Sequence, residues 1–237
     1  MMKTRKRLLI ISGAALSVVL AFVAVFFFVF YLPQKQKEEE WTRVVREYYE
    51  NKLSLYETEN ETYADYEVDV AFLGDSLTDG YDLEKYYPQY VTANRGISGE
   101  TTHGLEKRLQ VSVYDLKPKV AVLLIGGNNL STMFENYESI LVGLKENLPS
   151  TKIVLVSLTS MGRAGKDKNE LAAYNNVVIK KLAAKYNFSF VDLYSPLLDE
   201  TKGEIHPEYT TDGAHLTPKG YEVFTNTLTP VIEGLMK

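Results

Sequence analysis

The sequence contains no cysteine, only three histidines and a single tryptophan. Without thiols there can be no disulfide, no cysteine nucleophile, no thiolate metal centre and no lipidated cysteine of a lipoprotein. His103, His206 and His215 lack the close spacing of a metal site, so neither a metal nor another cofactor is expected. Acidic charge is missing from residues 1–37, which hold Lys3, Arg5, Lys6, Arg7, Lys35 and Lys37. The net charge of -5 therefore hides a much more acidic remainder, which argues against binding a nucleic-acid backbone. No internal repeat is visible.

What is present is a chain of 237 residues, 45% hydrophobic and 24% charged, which suits one domain with an appendage. The appendage begins with a basic tail, residues 1–7, followed by a charge-free run over residues 8–32. A helix crossing a hydrocarbon layer of ~30 Å needs about 20 such residues. The run ends Phe28-Val29-Phe30-Tyr31-Leu32-Pro33, without the small-residue site at which a secretory signal is cleaved. It reads as an uncleaved signal anchor, with the basic tail in the cytoplasm and the body outside the cell membrane.

Residues 33–67 form a linking region. Gln34 to Glu40 is a polar juxtamembrane spacer, and Val44, Val45, Tyr48, Tyr49 and Leu53 then recur at helical spacing between Trp41 and Tyr56. This amphipathic helix is expected to pack on the domain it precedes rather than on a membrane surface. Glu57 to Glu67 reads as an acidic connector.

Residues 68–237 alternate strand and helix. A mostly apolar run at 68–73, a continuously apolar one at 120–125, strand-like runs at 153–158 and 188–192 and a short extended piece at 91–94 are separated by helical patterns. One such helix is expected from Thr101 to Asp115, and the last follows Thr217-Pro218. The pattern predicts an α/β domain with a mostly parallel sheet covered on both faces, its ligand beyond the carboxyl ends of the strands.

The polar residues gather at that edge. The first strand runs into Gly74-Asp75-Ser76-Leu77. A serine there is an ordinary turn or capping residue, or else a nucleophile whose own N–H faces an anion. Gly96 follows the second strand, Asn128 the third, and Asp212-Gly213-Ala214-His215 lies near the end, with Asp212 and His215 spaced to reach a common neighbour. Asp75 reads as a cap, His103 and His206 as surface or packing residues, and Tyr81, Tyr86, Tyr87 and Tyr90 as packing residues before sugar or acyl contacts. The Gly-x-Ser-x-Gly elbow of α/β-hydrolases is absent.

These four blocks, in this order, resemble the SGNH/GDSL hydrolase superfamily across residues 68–237. The resemblance implies a three-layer α/β/α, flavodoxin-like fold and metal-free hydrolysis of esters or thioesters. It implies Ser76 as nucleophile, His215 as general base and Asp212 as the acid that orients the imidazole. The oxyanion donors would be the Ser76 N–H, the Gly96 N–H and the Asn128 side chain. Asn129 departs from the family's frequent Asp, which bears on substrate preference. The expected activity is that of a membrane-tethered esterase acting on an acylated envelope glycan or on a lysophospholipid-like ester. The alternative is a silent binding module with the same fold.

Overall fold

The computed structural model describes residues 25–237. The basic tail and most of the 8–32 run lie outside the described residues. Among the described residues no helix is long and apolar enough to cross a membrane. The described residues divide into two units, with the boundary between Asn51 and Lys52.

In the first unit a π-helical turn, Phe26–Tyr31, leads into a helix α1, Leu32–Asn60, which continues into the second unit. The polar spacer and part of the acidic connector are thus helical. The reason lies in i,i+4 ion pairs such as Lys35–Glu39 at 3.6 Å and Arg43–Glu47 at 3.8 Å, each contributing about 0.2–0.5 kcal/mol. Trp41, Val44 and Val45 are exposed.

The second unit contains five strands: β1 Val70–Gly74, β2 Thr92–Gly96, β3 Val120–Leu124, β4 Lys152–Val156 and β5 Ser189–Val191. They pair in the order β2-β1-β3-β4-β5, every pair parallel, with Gly74 opposite Gly96 at the carboxyl edge. A parallel sheet is buried on both faces, which is why β1 and β3 are apolar throughout rather than alternating.

Successive residues of β1 feed two separate cores. Ala71 and Leu73 join Leu105, Leu141 and Ile179 on one face. Those residues come from helices α4 Thr102–Lys107, α5 Phe134–Asn147 and α6 Asn169–Tyr186. Val70 and Phe72 join Leu77, Leu83, Leu197 and Phe224 on the other. That layer is built from α2 Ser76–Asp79, α3 Leu83–Tyr86, α7 Tyr194–Leu197 and α8 Pro218–Leu235. Each fully buried Leu or Phe contributes about 1.5–3 kcal/mol, so the two cores fix the sheet between its helices. The expected single helix over 101–115 is broken. Arg108 leaves helical dihedrals at φ -111°, and a π-helical turn, Gln110–Tyr114, follows.

The compact second unit also begins earlier than the expected boundary at Val68. Tyr56 of α1 is only 1% exposed, and the buried Arg95 of β2 pairs with Glu59 and Asn60 at 2.5 and 3.1 Å.

Candidate active site

Strand β1 delivers its last residues to the carboxyl edge, and the chain turns there without an intervening loop. Asp75 caps α2 by accepting the Leu77 N–H at 3.1 Å, which leaves Ser76 as the first helical residue. A Cβ on Gly74 would meet Thr78 Oγ1 at 2.2 Å, and one on Gly96 would meet Asp79 N at 2.1 Å. The two facing glycines therefore let α2 lie directly on the strand ends. Tyr221 secures α2 from behind by donating its hydroxyl to Leu77 O at 3.0 Å.

The segment after the short strand Glu204–Ile205 supplies the partners of Ser76. Thr210 and Leu216 bridge across its base, and Thr210 Oγ1 both donates to His215 O and accepts the Gly213 N–H. This closed loop presents Asp212 and His215 on one side. His215 Nε2 lies 3.0 Å from Ser76 Oγ, and His215 Nδ1 lies 2.7 Å from Asp212 Oδ2. With Nδ1 protonated toward the carboxylate, Nε2 is left as an acceptor for the serine proton.

Asp212 is suited to staying charged. The His215 ring, followed by the His215 and Ala214 N–H groups, holds its carboxyl well below the usual carboxylate range. Asp75 behaves oppositely, because burial pushes its carboxyl up to about 6 despite the Leu77 N–H and the nearby His215.

Two of the three expected donors are free to act. Among the described residues the Ser76 N–H has no protein acceptor. Asn128 follows Gly126, whose φ is +116°, and gives one amide hydrogen to Glu100 O at 2.9 Å, leaving the other available. The Gly96 N–H, expected as the third donor, is engaged by Asn94 Oδ1 at 2.9 Å. Gly96 serves the packing of α2 instead. Gly99, in the loop that follows β2, has φ +80°, nothing within 4 Å of a Cβ position, and an N–H without a protein acceptor among the described residues. Sequence reasoning passed over it, although a second glycine so close to the strand end was the available signal.

Other residues fall outside the site or support it. Asn129 accepts the Thr102 N–H at 3.3 Å and donates to Thr102 Oγ1 at 2.9 Å, a bridge that needs a carboxamide's donor as well as its acceptor. His206 accepts the Glu208 N–H and lies against Tyr209. Tyr81 and Tyr87 are buried, Tyr81 stacking on Tyr221 and Phe224, so they pack rather than face a ligand. Arg108, which the sequence reading did not single out, is 2% exposed beneath the edge. It donates to Gly74 O, Arg95 O and the Glu100 carboxylate.

The model of a family described as GDSL-like lipase/acylhydrolase matches residues 72–223. A structure from Streptococcus pneumonia, named for platelet activating factor, is 26% identical. The match covers 85% of this chain and 99% of that one, with a TM-score of 0.74. A GDSL-like lipase from Bacteroides thetaiotaomicron is 26% identical over 77% of this chain and 97% of its own, with a TM-score of 0.69. An acetylxylan esterase from Geobacillus stearothermophilus shares the fold at 21% identity, covering 71% and 95% of the two chains with a TM-score of 0.58. No curated protein matches the chain.

Proposed function

This chain belongs to the GDSL-like lipase/acylhydrolase family, and from that premise we propose that it is a serine ester hydrolase working through Ser76, His215 and Asp212. The carrying observation is the continuous line from Asp212 Oδ2 to His215 Nδ1 at 2.7 Å and from His215 Nε2 to Ser76 Oγ at 3.0 Å. His215 takes the serine proton as Oγ bonds to the acyl carbon, and Asp212 stabilises the resulting imidazolium. The carbonyl oxygen, now an oxyanion, receives the Ser76 and Gly99 N–H groups and the second Asn128 amide hydrogen. Collapse of that intermediate expels the alcohol, protonated by the imidazolium, and water then releases the acid by the same route.

The favoured substrate is a short acyl ester on a larger carrier such as an O-acetylated glycan. Supporting this, the Asp212 and His215 side chains are 50% and 52% exposed and Asn128 is exposed, an open setting with little apolar cover for a long chain. The hydrophobic run and preceding basic residues support a single-pass anchor holding the body outside the cell membrane. Protease added to intact cells should then degrade the body and spare the amino-terminal segment.

Ser76→Ala should lower turnover of p-nitrophenyl acetate by about 10³-fold or more and abolish labelling by a serine-directed phosphonate. Turnover unchanged by the substitution would end the serine mechanism. Across a chain-length series kcat/KM should fall beyond short acyl groups. A steady gain of about 0.8 kcal/mol per CH₂ would instead mark a lipid substrate. Tight glycan binding without acyl loss would mark the silent binding module.

A further inference from the structure

The last turns of α1 precede the family's matching span of 72–223, yet they reach the loop that carries Gly99. Lys52 Nζ lies 2.6 Å from Asp79 Oδ1, and Asp79 Oδ2 accepts the Ser98 hydroxyl at 2.6 Å. Asp79 closes α2, the helix that Ser76 opens, so its carboxylate joins the nucleophile's helix to the residue before Gly99. Its side chain is 14% exposed and that of Lys52 26%, so the ion pair is screened less than a surface pair. One turn further along the same face, Tyr56 donates its hydroxyl to Gly96 O at 2.6 Å.

We propose that Lys52 and Tyr56 are positioning residues for the ester hydrolysis described above, setting the Gly99 loop against α2. The inference rests on that functional reading. The loop is secured on its far side by Asn128, which donates to Glu100 O, while its near side has the Ser98–Asp79–Lys52 relay. An oxyanion donor acts only when it lies about 2.7–3.1 Å from the developing charge. A displacement of about 1 Å can cost on the order of 10²-fold in rate. Because these donors bind the tetrahedral state more strongly than the ground-state carbonyl, loosening the loop lowers kcat and leaves KM nearly unchanged. A residue that merely stabilised the fold would lower the active fraction, and with it apparent kcat, in the same way, but it would speed exchange throughout the domain rather than in this loop alone.

The test compares the full chain with its Lys52→Met, Lys52→Arg and Ser98→Ala variants, using p-nitrophenyl acetate kinetics and amide hydrogen exchange of residues 97–101. Lys52→Met is expected to lower kcat by about tenfold or more with KM within about twofold, and to speed exchange in the loop. Lys52→Arg, which keeps the cation, should restore both. Ser98→Ala cuts the relay without touching α1 and decides the matter should Lys52→Met fail to fold. Equal kcat and equal exchange in Lys52→Met, or in Ser98→Ala where that variant must decide, would overturn the proposal. Should the unsubstituted chain hydrolyse no ester, the functional reading falls while hydrogen exchange still decides whether Lys52 orders the loop.

Discussion

At the scale of single residues, the strongest tension lies beside the nucleophile. Asp75 is 5% exposed and its carboxyl is raised from 3.8 to about 6 by burial. The folded chain thus binds this proton more tightly than the unfolded chain, and between those two values stability falls as pH rises. Above pH 6 the buried charge is fully destabilising, by about 1–3 kcal/mol. Asp75→Asn keeps an acceptor for the Leu77 N–H and removes the charge. It should raise stability by that amount at pH 8 and by almost nothing near pH 4, read from urea melts at both values. A gain equal at both pH values would show that burial of charge is not its source. Beside it, Gly96 and Gly99 mark the limit of what the sequence discloses at this scale. Gly96 ends β2 and Gly99 lies three residues on in the loop that follows, and only folded geometry separates their roles. Gly96 makes room for Asp79 and gives its N–H to Asn94, whereas Gly99 holds φ +80° and its N–H has no protein acceptor among the described residues.

Among the elements, the alternation of strand and helix was legible because a doubly covered parallel strand must be apolar along its whole length, as Val120–Leu124 is. Element ends were less legible, since they depend on distant partners. The helix expected to reach Asp115 stops at Lys107, where Arg108 turns beneath the sheet to groups far away in the chain. Arg108 ties together the ends of β1 and β2 and the Glu100 carboxylate, itself 6% exposed. Truncating one partner of such a buried pair leaves the other charge uncompensated, at a cost of about 3–5 kcal/mol. Arg108→Met should therefore lower the unfolding free energy by about that much. Adding Glu100→Gln should recover part of the loss. A double variant no more stable than the single one would mean that the backbone contacts of Arg108, and not its pairing with Glu100, dominate.

For the whole molecule, the family motifs locate the catalytic edge but do not say where the folding unit begins. Residues 33–67 read as a polar spacer and a lead-in helix expected to pack on the domain, yet outside a boundary set at Val68. The burial of Tyr56 and the pairing of Arg95 with Glu59 depend on a strand more than thirty residues away in sequence, which periodicity does not register. A chain beginning at Val68 would leave the fully buried Arg95 guanidinium without Glu59 and Asn60, and Gly96 O without the Tyr56 hydroxyl. Loss of the ion-pair partner alone costs on the order of 3 kcal/mol, and the vacated Tyr56 site adds to it. Against a total stability of about 5–15 kcal/mol that is a large share. A chain beginning at Glu47 keeps all these contacts and is expected to melt cooperatively by circular dichroism. The chain beginning at Val68 should melt at least about 10 °C lower, or collect in the insoluble fraction. Coincident melts for the two would return the boundary to Val68 and reduce the end of α1 to an ornament of the fold.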